Sequence, residues 1–276
     1  MNLIEIIKSV IIGFAQGVTE WLPISSTGHM ILLDNFIKLN VTKSFLDMFL
    51  VVVQLGSILA VIYLYFDKLN PFSSKKNASE KKKTVLLWVK VLIGCVPAAI
   101  IGFLFDDLIH EKLYSSTTVA FMLILYGILF IFIEARKKSC PIDTLGKLDY
   151  KTAFLIGLFQ VLALIPGTSR SGATIIGASV LGAARNVAAE YSFFLAIPVM
   201  FGASGFKFLK YALKVGLHFS ATELGILISG MLIAFLVSVW AIKFLMNYIK
   251  KNDFKIFGYY RIILGIIVLL YFAIFR

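Results

Sequence analysis

The chain has 276 residues, 59% of them hydrophobic and 15% charged, with a net charge of +12. A soluble domain is nearer half apolar, so this composition speaks against a soluble fold and for residence in lipid. In a soluble chain the positive charge would suggest nucleic acid. Here the lysines gather at the ends of apolar runs, where they set topology and meet anionic lipid, so no nucleic-acid partner is expected.

Residues 3–38 are apolar but interrupted at Pro23-Ile24-Ser25-Ser26-Thr27-Gly28. Pro and Gly stop helices, so this stretch predicts two helices and a polar break. It lacks the basic start and small-residue cleavage site of a signal peptide, and the first helix is expected to stay. Apolar runs follow at 45–66, 85–105 and 118–135. At 1.5 Å per residue, about twenty residues cross a hydrocarbon core of roughly 30 Å. In lipid such runs must be helices, because every backbone polar group needs an internal partner. A second interrupted segment, 152–183, breaks at Pro166-Gly167-Thr168-Ser169-Arg170-Ser171-Gly172. Segments 190–206, 224–246 and 256–275 complete six spans. Runs 85–105 and 256–275 show no polar face at helical spacing. The expected fold is an all-α polytopic membrane protein, with about six transmembrane helices plus two re-entrant helix pairs.

Three connections are basic: 67–84, 136–151 (with Arg136, Lys137, Lys138, Lys147 and Lys151) and 248–255. They are expected in the cytoplasm. The connection 106–117 carries Asp106, Asp107 and Glu111 against Lys112, and is expected outside. Lys207, Lys210 and Lys214 run against this assignment. The halves 1–144 and 145–276 also resemble each other. Ile12-Gly13-Phe14-Ala15-Gln16 aligns with Ile156-Gly157-Leu158-Phe159-Gln160. Pro23-Ile24-Ser25-Ser26 aligns with Pro166-Gly167-Thr168-Ser169 after one gap. With opposite orientations, each half being a re-entrant pair plus three spans, this predicts an inverted repeat whose site lies where the broken segments meet. Cys95 and Cys140 suggest no disulfide framework.

The first break carries chemistry-bearing side chains. Gln16 and Glu20 are four apart and share a helix face. An intramembrane carboxylate usually faces a cavity and marks function; the blander alternative is an interfacial Glu reaching for water. Ser25, Ser26, Thr27 and Gly28 lead into His29. In the second break Arg170 sits between Ser169 and Ser171, flanked by Gly167, Thr168 and Gly172. A guanidinium fork in a Gly-rich turn, with free N–H groups and a helix start behind it, suits phosphate. Arg170 as a helix-end anchor is the bland alternative. Phosphoryl transfer needs positioning and charge stabilisation above all. Arg170 and the loop N–H groups would bind phosphate, and His29 or Ser26 would attack it, or His29 would activate water. Glu20, with Gln16, would orient His29 or hold a divalent cation. Glu190 could pair with Arg170 or Arg185, or simply anchor a helix end. His110 and His218 read as solvated, and Tyr259, Tyr260 and Trp240 as lipid-facing or interfacial-belt residues. No Walker motif, zinc cluster or dinucleotide fingerprint occurs. A phosphate at membrane depth belongs to a lipid.

These residues resemble the undecaprenyl-diphosphate phosphatase family, the bacitracin-resistance membrane proteins. The resemblance rests on Gln16-Gly17-Val18-Thr19-Glu20, Leu22 to His29, Gln54 to Ala60, Pro166 to Thr174 and Ala189 to Pro198, in that order along the chain. It implies a hydrolase that converts undecaprenyl diphosphate to the monophosphate and phosphate, recycling the carrier for peptidoglycan synthesis and conferring bacitracin resistance. It implies an inverted repeat with re-entrant pairs in the bacterial cell membrane, and a site open to the extracytoplasmic side. It implies Mg²⁺ or Ca²⁺, with Glu20, Ser26, His29 and Arg170 catalytic. Gln16, Ser25, Thr27, Gly28, Gly167, Thr168, Ser169, Ser171 and Gly172 are expected to bind substrate. The expected partners are a polyprenyl diphosphate and membrane lipids, with homodimer formation left open. The first motif position is often Glu in this family and is Gln16 here, which weakens a two-carboxylate metal site and leaves Glu20 as the metal residue. Two other classes compete. One is a lipid-phosphate transporter or flippase. The other is the lipid phosphatase class whose motif includes Ser-Gly-His, but this chain lacks that class's companion motifs.

Overall fold

A computed structural model describes residues 2–136 and 139–274, without the side chains of Asp34, Asn35, Asp106, Asp107 and His110. The expectations for Lys137, Lys138, Asp106, Asp107 and His110 therefore lie outside the described residues and side chains. In chain order the helices are α1 (Leu3–Thr19), α2 (Ser26–Phe36), α3 (Lys43–Leu64), α4 (Phe66–Leu69), α5 (Ala78–Leu113) and α6 (Ser116–Ala135). After them come α7 (Tyr150–Val161), α8 (Arg170–Val180), α9 (Arg185–Val215), α10 (Ala221–Tyr248) and α11 (Lys255–Ile274). Among the described residues the only β pairing is one bridge, between Ile142 and Ala183.

Helices α3, α6, α9, α10 and α11, with the Ala78–Phe105 part of α5, are long and apolar enough to cross a membrane. The chain is a multi-pass membrane protein. Its surface is inverted relative to a soluble one: Phe103, Leu213, Ile228, Leu232, Trp240 and Ile263 point outward. Gln16, Glu20, Ser171, Thr174, Ser192 and Arg261 are buried. Lipid rewards no burial of apolar groups, so helices associate by close packing and by satisfying polar groups among themselves.

That packing uses small residues. Helix α1 lies on α10, with Gly13 facing the Gly230 backbone and the Ser9 and Ser229 hydroxyls 2.6 Å apart. Helix α7 lies on α5, with Gly157 facing the Gly94 backbone. A Cβ at Gly13 or Gly157 would overlap the facing carbonyl, so glycine there lets two backbones touch. Helix α6 packs chiefly on α11, and α3 packs on both α10 and α9.

Each interrupted segment is a helical hairpin whose ends meet. In the first, Lys8 Nζ donates to the Lys38 carbonyl at 2.7 Å, and the Asn40 N–H donates to Glu5 at 2.8 Å. In the second, the Ile142 N–H donates to Gly182 O at 3.1 Å, and the Ala184 N–H to Ile142 O at 2.9 Å. Asp149 caps α7 by accepting from the Thr152 N–H at 2.7 Å. Hydrogen bonds from Thr152 hold that carboxyl below its usual range.

The structure changes four details of the expected picture. The run 256–275 is not free of polar character, because Arg261 lies inside α11 and is fully buried. Glu190 pairs with neither Arg170 nor Arg185; it accepts from Lys68 Nζ at 2.5 Å, while Arg185 binds Glu134. Tyr260 is half exposed, yet its hydroxyl reaches a site residue. The register between the halves also shifts by one. Ser25 and Ser169 are the two non-glycine residues with positive φ among the described residues, 72° and 71°, and each caps the helix after it. Ser25-Ser26-Thr27-Gly28 therefore corresponds to Ser169-Arg170-Ser171-Gly172, which keeps the Gln16–Gln160 pairing without a gap, and it is the proline that stands one residue further ahead of the cap in the second loop.

Candidate active site

The two hairpin tips face each other. At the first, α1 ends at Thr19 and residues 20–25 turn the chain into α2. Ser25 accepts from the Gly28 N–H at 3.4 Å, an N-cap. At the second, Ser169 accepts from the Gly172 N–H at 3.1 Å. A non-glycine residue at positive φ costs on the order of 1–3 kcal/mol, and such strain clusters at functional sites. Gly167, with φ +91°, precedes the second cap; a side chain there would be strained and would also strike the Val119 backbone.

Glu20 is the hub between the tips. Its Oε2 accepts from Gln16 Nε2 at 2.9 Å and from Ser26 Oγ at 3.1 Å. Its Oε1 meets Arg170 Nη2 at 3.2 Å, and its carbonyl accepts from Ser171 Oγ at 3.2 Å. Arg170 also donates from Nη1 to the Ser192 carbonyl at 2.8 Å. Thr174 and Ser192 hydroxyls lie 2.7 Å apart behind it. Trp21 flanks the guanidinium, 5.6 Å from its ring centre to Arg170 Cζ, and is held edge-on by Phe193. The Glu20–Arg170 pair joins residues 150 apart in sequence. Both side chains are about nine-tenths buried, so each charge depends on the other.

The sequence-predicted residues fall into three groups. Gln16, Glu20, Ser26, Arg170 and Ser171 converge on one hydrogen-bonded cluster. Ser25, Gly28, Ser169 and Gly172 form the caps that aim the helix starts, with Thr27 in the first turn of α2. Gly167 and Thr168 shape the second loop. His29 stands apart from the carboxylate: its Nδ1 bonds the Ser25 carbonyl at 2.8 Å and its Nε2 bonds Tyr260 Oη at 2.7 Å. A carbonyl only accepts, so Nδ1 carries the proton, and in the neutral ring Nε2 accepts from the tyrosine.

Sequence reasoning missed Arg261 and Tyr260. The signal for Arg261 was present as an arginine inside an apolar run, the pattern that marks a functional residue in a membrane helix. Tyr260 offered none, because an aromatic near a helix end is ordinary.

The fold and cluster define a polytopic helical membrane protein with a buried site of one carboxylate, one guanidinium and several hydroxyls at facing helix starts. Comparison with known proteins is consistent with that class. Residues 9–267 match the bacitracin resistance protein BacA family, and the chain belongs to that family. It is 58% identical over 276 residues to an undecaprenyl-diphosphatase of Desulfitobacterium hafniense, covering 99% of this chain and 98% of that protein. It is 59% identical over 266 residues to an undecaprenyl-diphosphatase of Enterococcus faecalis, covering 96% of each.

Gln16 gives a direct test of how Glu20 is held. As an amide it donates to Glu20; a Glu there would place two carboxylates on one helix face. Gln16→Glu is expected to keep turnover and to make it respond more strongly to added divalent cation, measured as phosphate release against Mg²⁺ concentration. Complete inactivation would mean that the amide is required as a donor.

Proposed function

We infer that the chain is an undecaprenyl-diphosphatase that hydrolyses undecaprenyl diphosphate to undecaprenyl phosphate and phosphate, which serves peptidoglycan synthesis and bacitracin resistance. The observation that carries this is the convergence of Ser26, Glu20 and Arg170 at two helix starts inside a membrane chain whose relatives bear that name. The terminal phosphate would bind Arg170 and the first N–H groups of α8, which have no intrahelical acceptor. As Arg170 turns to the phosphate, Glu20 is released to act as base. Ser26 Oγ, already donating to Glu20, would pass its proton there and attack the terminal phosphorus. The bond from phosphorus to the bridging oxygen breaks, undecaprenyl phosphate departs, and a phosphoserine remains. Glu20 would hand that proton to the departing undecaprenyl phosphate; as a carboxylate again it would take a proton from water, whose oxygen attacks the phosphoserine, and return that proton to Ser26 Oγ as the phosphorus–serine bond breaks and phosphate leaves. His29 is a weaker nucleophile candidate because both ring nitrogens already have partners.

Mg²⁺ or Ca²⁺ would supply charge neutralisation on the phosphate oxygens. The oxygens of Glu20, Gln16 and Ser26 are hard donors of the type these ions accept. Among the described residues no group of three His, Cys, Asp or Glu gathers to hold an ion alone, so the diphosphate would complete its coordination.

The hairpins would enter and leave the membrane on one side each, from opposite faces, which makes 1–144 and 145–276 an inverted repeat. The exchanged pairings of α1 with α10 and α7 with α5 support this. The basic connections would face the cytoplasm of a bacterial cell membrane, with the site opening outward. A homodimer would leave the site intact, since every residue of the cluster comes from one chain.

Exposed Cys140 lies in the 136–151 connection, and Cys95 is buried. An impermeant thiol reagent added to intact cells is expected to leave Cys140 unlabelled until the membrane is opened. Prompt labelling would reverse the orientation. The function itself is tested by phosphate release from undecaprenyl diphosphate by purified protein. No release above an Arg170→Ala control, with labelled lipid crossing liposomes instead, would overturn the enzyme in favour of a transporter.

A further inference from the structure

Arg261 occupies the interior of α11, fully buried, behind both hairpin tips. Its Nη1 donates to the Pro23 carbonyl of the first loop at 3.2 Å. Its Nη2 donates to the Gly167 and Thr168 carbonyls of the second, at 2.9 and 2.8 Å. Its Cζ lies 5.4 Å from the centre of the Tyr126 ring, which comes from α6. One guanidinium thus ties α11 to both breaks at once. It forms no ion pair with a carboxylate among the described residues.

A buried charge balanced only by carbonyl dipoles is expensive to hold, and a neutral side chain of similar size would pack the same space at lower cost. A purely structural brace therefore does not account for it. Its geometry does. Pro23 lies three residues from Ser26, and Thr168 two residues from Arg170. Arg261 holds the Pro23 carbonyl of the first loop and the Gly167 and Thr168 carbonyls of the second. It also sets the distance between the residue that attacks and the residue that holds the phosphate. Only a planar fork with several donors can span the two loops; a lysine ammonium is a single point.

We propose that Arg261 is a positioning residue for phosphoryl transfer, clamping the Ser26–Glu20 loop and the Arg170 loop at the separation the reaction needs. It acts through the loop carbonyls and does not touch the substrate. The idea rests on the hydrolase reading above. It predicts a selective effect on turnover, because misalignment of reacting groups penalises the transition state more than substrate binding.

The test measures phosphate release from undecaprenyl diphosphate by full-length protein in detergent, with Mg²⁺. Wild type is compared with Arg261→Lys and Tyr126→Leu. Arg261→Lys keeps the charge and loses the fork; kcat is expected to fall about 30-fold or more while KM stays within about threefold. Tyr126→Leu keeps Arg261 but removes the ring beneath it; kcat is expected to fall severalfold, again at nearly constant KM. It decides the matter if the lysine variant does not fold. A folded Arg261→Lys with wild-type kcat overturns the proposal. So does a loss of thermal stability with unchanged kcat per folded molecule, which would make Arg261 a brace only. Absence of phosphate release from wild type would instead sink the hydrolase reading, so the two failures are distinguishable.

Discussion

Arg170→Ala is expected to lower phosphate release by at least about 10²–10³-fold, the usual loss when a donor aimed at developing charge is removed. The effect has two parts. The terminal phosphate loses its guanidinium, and Glu20 loses the partner that balances it. Breaking a buried pair from one side costs about 3–5 kcal/mol, because the remaining charge is left unpaired. Arg170→Lys separates these parts. It restores the charge beside Glu20 but cannot also reach the Ser192 carbonyl that fixes the guanidinium plane, so stability should recover further than turnover. Size-exclusion behaviour and thermal unfolding of each variant establish that the loss is chemical. Retained turnover in a folded Arg170→Ala would contradict the phosphate role outright.

The second large effect concerns the nucleophile. Ser26→Ala is expected to reduce turnover by about 10³-fold or more, the scale seen when an attacking group is deleted and binding alone remains. His29→Gln is expected to cost far less, on the order of tenfold, because His29 is held between the Ser25 carbonyl and Tyr260 and does not bond Glu20. Trapping with radiolabelled substrate adds an independent readout: a phosphoserine on Ser26 in wild type, and none in Ser26→Ala. The opposite ranking, with His29→Gln inert and Ser26→Ala active, would move the attack to the imidazole.

The sequence was informative where the constraint is local. A hydrophobic run of twenty residues in lipid has one solution, so the six spans could be read directly. Pro23 and Pro166 with their following hydroxyls and glycines marked both breaks for the same reason. Glu20 and Arg170 were conspicuous because ionisable groups inside apolar segments are rare and need a purpose. Arg261 satisfied the same criterion and was passed over, because its neighbours in the run 256–275 are uniformly apolar and no hydroxyl–glycine motif surrounds it. Glu190 was left between Arg170, Arg185 and a plain helix-end anchor, whereas its partner Lys68 is 122 residues away. Tyr260 looked like any interfacial aromatic until α11 packed beside α2.

The sequence by itself determined that this is a membrane protein, where its helices run and break, and which two clusters hold the polar chemistry. These properties follow from composition within a helix turn or two, since lipid leaves the backbone no alternative to helix. Only the tertiary structure decided that Glu20 meets Arg170, that Ser26 rather than His29 bonds the carboxylate, and that Arg261 ties both loops from behind. The first and last of these join positions 150 and 238 residues apart. They depend on which helix faces pack together, and in lipid that choice is made by close backbone approach and mutual satisfaction of polar groups, neither of which is encoded in any one segment.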